Sequence, residues 1–144
     1  MSKKLKIVFI CAEVDPFSKT GGLADVGRSL PKALKRLGHK IIIITPFYGQ
    51  IIDPKKHGLK LIKENVGVYL NSADKIQVNF WRGNLMKDLP VYFIENKKYF
   101  SARKTIYGSS HENTRFLAFD VAALKLISLL KFEADIVHCN DWHT

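Results

Sequence analysis

The chain has 144 residues, of which 47% are hydrophobic and 25% charged, and its formal net charge is +10. This length and apolar content are typical of one packed globular domain and exclude a disordered chain. No apolar segment reaches the roughly 18–20 residues that a transmembrane helix needs, so we expect no membrane association. Because the basic residues are spread along the whole sequence without a nucleic-acid motif, a lysine-rich surface or an anionic substrate is favoured over a nucleic-acid partner.

The amino terminus, "MSKKLKIVFICAE", resembles a signal peptide only superficially. Glu13 and Asp15 follow the apolar run and no small-residue cleavage site is present, so a buried strand is the better interpretation. Cys11 and Cys139 each lie in an apolar segment without metal-ligand spacing, and we expect both to be buried thiols. These features predict a reduced, cytoplasmic protein, or a plastid protein in a plant, although no transit peptide is visible.

The first part of the chain reads as a strand, a tight turn, a helix and a second strand. "KIVFICAE" and "KIIIITP" are continuous apolar runs, typical of strands buried in a parallel sheet. Between them, helical spacing predicts one apolar helix face, and Gly38 is expected to end this helix. Pro31 is expected to kink the helix without breaking it, because Gly27 can yield to the proline ring. The residues of the expected apolar face are Leu23, Val26, Leu30, Leu34 and Leu37.

The middle of the chain alternates more. "LKLIKENVGVYL" and "DKIQVNFWRG" predict an antiparallel pair, and "LPVYFIE" predicts a short buried strand. A polar and aromatic loop, residues 96–110, precedes a helix for which Ser109 and Glu112 have capping-box spacing. "ADIVHCND" predicts the last strand. The sequence therefore indicates an α/β fold: a Rossmann-like, doubly wound, mostly parallel sheet with an inserted antiparallel strand pair.

The segment "SKTGGLADVG" contains the first candidate site. Glycines at a helix N-terminus let an anion approach unpaired N–H groups, and Lys19 can add a full charge. The spacing of Gly21 and Gly22 matches neither standard phosphate-binding motif, so a plain turn and a phosphate site stay equally open on physical grounds. Asp25 is interpreted either as a carboxylate that complements the helix dipole or as an acceptor for sugar hydroxyls.

The second candidate site is "HCNDWHT" at the end of the last strand. Strand alternation places His138 and Asn140 on one face and Cys139 and Asp141 on the other. His138, Asp141 and His143 are potential metal ligands, but their spacing fits no standard zinc pattern, so no metal site is expected.

Three stretches together resemble glycosyltransferase family 5, the bacterial glycogen synthases and plant starch synthases. "AEVDPFSKTGGLADVGRSLPKAL" is similar to the amino-terminal signature of that family, "HENTRFLAFDVAAL" to an internal D-N-x-x-R-F stretch, and "DIVHCNDWHT" to the segment that ends in Asp-Trp-His. Order and spacing agree over residues 1–144. One departure is "YFSARKTIYG", where many members have a Tyr-Asp-Arg-Pro-Gly-like loop, so the resemblance assigns no role to residues 99–108.

The resemblance implies a glycosyltransferase B fold of two Rossmann-like domains, of which residues 1–144 are a truncated N-terminal domain and the second domain is absent. It implies a retaining transfer of glucose from ADP-glucose or UDP-glucose to an α-1,4-glucan, without metal or cofactor. Lys19, Gly21 and Gly22 would face the diphosphate, and Asp25 would lie toward the acceptor. Asp141 would contact the transferred glucose beside Trp142 and His143.

The resemblance also implies that the isolated fragment is inactive, because essential residues of the family lie in the second domain. Two further hypotheses remain open: a non-catalytic nucleotide- or phosphate-binding module, and another two-domain glycosyltransferase such as a sucrose synthase relative. The glycine turn fits the first of these, but the Asp-Trp-His ending does not.

Overall fold

The computed structural model describes residues 3–144 and contains one six-stranded mixed sheet with helices packed against it. The strands have the order β3-β4-β5-β2-β1-β6. The elements are β1 (Lys6–Ile10), α1 (Gly22–Arg36), β2 (Lys40–Pro46), β3 (Lys60–Tyr69), β4 (Lys75–Met86), β5 (Leu89–Glu95), a π-helical turn (Lys97–Ser101), α2 (Glu112–Leu130) and β6 (Ile136–Cys139).

The sheet has a parallel part and an antiparallel part, as the sequence predicts. Strand β1 pairs in parallel with both β2 and β6, and β2 pairs in parallel with β5. The hairpin of β3 and β4 joins the sheet antiparallel to β5. Of the parallel strands, β1, β2 and β5 are apolar and covered on both faces, and Val8, Phe9, Ile43 and Ile44 have no exposed surface.

The order in which the parallel strands were added to the sheet reverses at β1. The connection through α1 leads from β1 to its neighbour β2 in one direction across the sheet. The connection through α2 leads from β5 in the opposite direction, past β2 and β1, to β6. The loops that follow β1 and β6 therefore diverge at the carboxyl edge of the sheet. Such a switch point opens a crevice where ligands of doubly wound sheets bind.

Helix α1 runs through Pro31 without interruption and ends just before Gly38, whose φ is +93°. The prediction of the apolar face is only partly correct, because two of its five residues, Val26 and Leu37, are exposed. Small residues make the closest contact instead. A Cβ on Gly27 would lie 2.5 Å from the Glu13 carbonyl oxygen. The helix thus approaches the segment after β1 closely enough to exclude larger side chains, and its buried residues are Ala24, Gly27 and Pro31.

Two further sequence expectations have mixed outcomes. Cys11 is buried, and burial raises the pKa of its thiol to about 11. Cys139 is exposed, contrary to expectation, because β6 is an edge strand that pairs only with β1. Only half of the capping box forms: the Glu112 carboxylate accepts from the Ser109 backbone N–H, while the Ser109 hydroxyl accepts from the His111 N–H.

Within residues 3–144, no helix is long and apolar enough to cross a membrane.

Candidate active site

The glycine turn after β1 leaves the N-terminus of α1 open. Gly21 is the N-cap residue, and no side chain of the described residues caps the helix there. A Cβ built on Gly21 or Gly22 meets no atom within 4 Å. Packing inside the chain therefore does not require either glycine, and the space in front of them is free for a ligand. The uncapped N–H groups and the helix dipole favour an anion in that space.

Lys19 and Asp25 lie on the same turn but bind each other. The Lys19 Nζ atom is 2.5 Å from Asp25 Oδ1, and both side chains are exposed. The hydrogen bond to Asp25 raises the pKa of Lys19, so the ammonium is charged at neutral pH. Exposed ion pairs contribute little to stability because solvent screens their charges, so an incoming anion can compete for the lysine. Neither residue lines the cavity behind the glycine turn.

The residues after β6 form the opposite side of the crevice. The buried Asn140 amide donates to the Ile10 carbonyl of β1 at 2.7 Å and fixes the end of β6. Strand alternation does not extend to Asn140 and Asp141, because β6 ends at Cys139 and Asp141 has φ +67°. The exposed Asp141 carboxylate accepts from the Trp142 N–H at 2.7 Å. His138 instead packs against Phe9 in the sheet and does not line the cavity.

A cavity of about 240 Å³ lies between the two sides. Of the seven residues that the sequence singles out, the structure brings five to this cavity and leaves Lys19 and Asp25 beside it. His143 is 4% exposed, its ring is 3.9 Å from the Trp142 ring, and burial lowers its pKa, so the imidazole is neutral at neutral pH. The residues that line the cavity are Glu13, Gly21, Gly22, Leu23, Tyr107, Asp141, Trp142 and His143.

Sequence reasoning missed the role of Glu13 and left Tyr107 without one. Glu13 is only 2% exposed, and its carboxylate accepts from the Thr20 N–H, from the Thr20 hydroxyl at 2.8 Å and from the Tyr107 hydroxyl at 2.5 Å. The Tyr107 ring stacks on His143 with centroids 5.1 Å apart. The available signal was a carboxylate directly after a buried apolar run, which needs hydrogen-bond donors.

Arg115 anchors the loop that carries Tyr107. This arginine is fully buried in α2 and donates to the carbonyls of Tyr99 and Ile106, each at 2.9 Å, and to Glu112 at 2.7 Å. It corresponds to the arginine in the "NTRF" stretch that the sequence singles out. The loop of residues 99–108 is thus held in place by hydrogen bonds from the buried Arg115 guanidinium.

No group of three or more His, Cys, Asp or Glu residues within 3–144 is arranged to hold a metal ion. A larger cleft of about 500 Å³ lies by the carboxyl end of β5, among Gln50, Gln77, Asn79 and Glu95, and contains none of the sequence-predicted site residues. The arrangement at the switch point can bind an anion at α1 and a neutral polar group beside Asp141 and His143.

Residues 6–144 match the family model of the starch synthase catalytic domain. The chain is 41% identical over 145 residues to a glycogen synthase of Geotalea uraniireducens, covering 97% of this chain and 29% of the relative. It is 39% identical over 140 residues to a glycogen synthase of Bacillus subtilis, covering 97% of this chain and 28% of that protein.

Among solved structures, the chain is similar to the catalytic domain of starch synthase IV from Arabidopsis thaliana bound to ADP and acarbose. The TM-score is 0.86 at 36% identity, with 99% of this chain and 29% of the other covered. The chain thus spans less than a third of the length of these relatives. Fold and sequence agree across nearly all of its residues, and the chain belongs to the starch synthase catalytic domain family.

Proposed function

We propose that the protein carrying this chain is a retaining glucosyltransferase that moves glucose from ADP-glucose or UDP-glucose to the non-reducing end of an α-1,4-glucan. One observation carries the proposal: an uncapped helix N-terminus with free space over Gly21 and Gly22 faces Asp141 across one cavity. Membership of the starch synthase family supports the same reaction.

The glycine turn would stabilise the leaving diphosphate. Cleavage of the bond between the sugar and the diphosphate leaves negative charge on the phosphate oxygens. The α1 N–H groups and Lys19 would meet this charge, in place of the metal ion that other transferases use. Because the charge grows toward the transition state, these contacts accelerate the reaction in addition to binding the donor. The exchange of Asp25 for phosphate as the partner of Lys19 would accompany donor binding.

The opposite wall would bind the glucose unit. Positive charge develops on the sugar ring as the bond breaks, and the exposed Asp141 carboxylate would offset it. Trp142 and the neutral His143 would contact the sugar through a ring face and a ring nitrogen; His143 Nδ1 is buried and has no hydrogen-bond partner among the described residues. Asp25, on the α1 side, would lie toward the acceptor.

Of the two donors, we propose ADP-glucose over UDP-glucose. The similar starch synthase IV structure is bound to ADP, which supports ADP-glucose as the donor. Competition between the two donors in a transfer assay would decide it.

The test is glucose transfer by the full-length protein and by Asp141→Asn. We expect wild-type protein to elongate maltooligosaccharides with labelled ADP-glucose or UDP-glucose, with retained anomeric configuration and unchanged activity in EDTA. Asp141→Asn should lower kcat about 100-fold, because the amide cannot offset the positive charge on the sugar ring. The melting temperature should not change, because asparagine also tolerates the positive φ of this position. Binding of the sugar nucleotide without any transfer would instead favour the non-catalytic module.

A further inference from the structure

Glu13 joins two segments that are far apart in sequence. Its buried carboxylate accepts from both donors of Thr20 and from the hydroxyl of Tyr107, which is 94 residues further along the chain. A buried carboxylate is retained only where donors compensate its lost hydration, and hydrogen bonds to a charged acceptor are the stronger ones. The contact is therefore a strong link between the two segments.

Each of these segments belongs to a different wall of the cavity. Thr20 directly precedes Gly21, the N-cap of α1, so its amide sets where the glycine turn begins. The Tyr107 ring stacks on His143, which belongs to the segment after β6. One carboxylate thus relates the glycine turn to the Tyr107–His143 stack, and both line the same cavity.

Tyr107 is delivered to this contact by the loop before α2. Arg115 holds the carbonyl of Ile106, the residue next to Tyr107, and the carbonyl of Tyr99 at the other end of the loop. By comparison, Tyr48 is completely buried and donates to the Ala12 carbonyl at 2.8 Å, but it does not line the cavity. Both hydroxyls donate a hydrogen bond, Tyr107 to the Glu13 carboxylate and Tyr48 to a backbone carbonyl, yet only Tyr107 borders the candidate site.

We propose that Glu13 is a positioning residue which, through Thr20 and Tyr107, fixes the separation of the glycine turn from the Tyr107–His143 stack. This inference goes beyond the proposed function and rests on it for its effect on catalysis. Displacement of a binding group by about 1 Å lowers rates about 100-fold. Loss of the link would therefore reduce turnover even though Glu13 itself need not touch the reacting atoms.

The kinetic test compares Glu13→Gln, Tyr107→Phe, the double variant and Tyr48→Phe in the full-length protein. We expect Glu13→Gln and Tyr107→Phe each to lower kcat about tenfold or more. The double variant should be no worse than the stronger single variant, because both changes break one link. Tyr48→Phe also removes a buried hydroxyl and should lower the melting temperature as Tyr107→Phe does. Its kcat and KM, however, should match wild type.

A second readout does not depend on activity. Hydrogen exchange is measured by mass spectrometry on peptides that cover residues 18–22 and 104–108. In Glu13→Gln we expect both segments to exchange about tenfold faster, since the hydrogen bond to the charged acceptor is weakened. Tyr48→Phe should leave both unchanged.

The outcomes separate the two proposals. Suppose that wild-type protein transfers glucose, but that Glu13→Gln does not speed hydrogen exchange in both segments, or that the kcat losses of the two single variants multiply in the double variant. The role of Glu13 is then wrong and the proposed function stands. If exchange is coupled but wild-type protein transfers no glucose, the link stands and the proposed function is wrong. Tyr107→Phe keeps the test decisive if Glu13→Gln does not fold.

Discussion

At the scale of single residues, the charged side chains at the candidate site already have partners within the chain. Lys19 is paired with Asp25, and Glu13 is saturated by Thr20 and Tyr107. The Lys19–Asp25 pair is exposed, so a ligand can replace Asp25 as the partner of the lysine. The Glu13 carboxylate is buried, so its hydrogen bonds are costly to break. This difference in burial is consistent with the proposed roles of Lys19 in ligand binding and of Glu13 in the arrangement of the walls.

Lys19→Ala in the full-length protein tests the role of the lysine. We expect kcat for sugar-nucleotide turnover to fall about 100- to 1,000-fold, with a smaller change in KM, because the charge acts mainly on the leaving diphosphate. Lys35→Ala, in the last turn of the same helix, is the matched control and should behave as wild type. Steady-state kinetics equal to wild type in Lys19→Ala would show that the assignment is wrong.

At the scale of elements, α1 has one end that is free for a ligand and a middle that is tightly packed. Gly21 and Gly22 face open space, whereas Gly27 lies against the Glu13 backbone. The glycines at the start and in the middle of α1 therefore have two different environments, and substitution separates their effects.

Gly21→Ala and Gly27→Ala form a matched pair. Gly27→Ala should lower the free energy of unfolding by about 1–3 kcal/mol, because its Cβ would overlap the Glu13 carbonyl oxygen. Gly21→Ala should leave stability nearly unchanged and raise KM for the sugar nucleotide, because its methyl group fills the ligand space. Urea unfolding and steady-state kinetics measure the two effects. Equal stability of the two variants would contradict this account.

Helix α2 contains a carboxylate in an unfavourable place. Asp120 Oδ1 is buried without a hydrogen-bond partner among the described residues, and burial raises the pKa of Asp120 from 3.8 to about 6. The native state therefore holds this proton more tightly than the unfolded state. The contribution of Asp120 to stability is most favourable below pH 3.8 and is lost as the pH rises through about 6.

Asp120→Asn should consequently stabilise the chain at pH 7 by about 1 kcal/mol, a figure reduced for the partial exposure of the carboxylate. The advantage should shrink as the pH falls from 6 toward 4, where the wild-type carboxylate is protonated in the native state. Urea unfolding at several pH values measures it. A stability difference independent of pH would show that burial of the charge is not the cause.

At the scale of the whole molecule, the sheet order creates the site. The reversal at β1 places the loops after β1 and β6 opposite each other, although they are more than 110 residues apart in sequence. The resulting cavity is shallow, and Trp142 on its wall remains 56% exposed. Ligand sites usually bury most of the ligand surface, so this open cavity offers an incomplete set of contacts.

We therefore expect the purified chain of 144 residues to transfer no glucose and to bind ADP-glucose more weakly than about 1 mM. Calorimetry and a glucan elongation assay, each run beside the full-length protein, test this expectation. Elongation of glucan by the 144-residue chain would show that the two walls of this cavity suffice.

The sequence by itself determined the parallel and antiparallel strands, the two long helices and the family, because apolar periodicity and short motifs are local properties of the chain. It also selected Gly21, Gly22, Asp141, Trp142 and His143, which the fold brings to one cavity. Only the tertiary structure decided that Cys139 is exposed, that Gly27 and not Val26 faces the core, and that Glu13 binds Tyr107. Those properties depend on which elements become neighbours, and long-range contact between β1, the loop before α2 and the end of β6 is not encoded in any single segment.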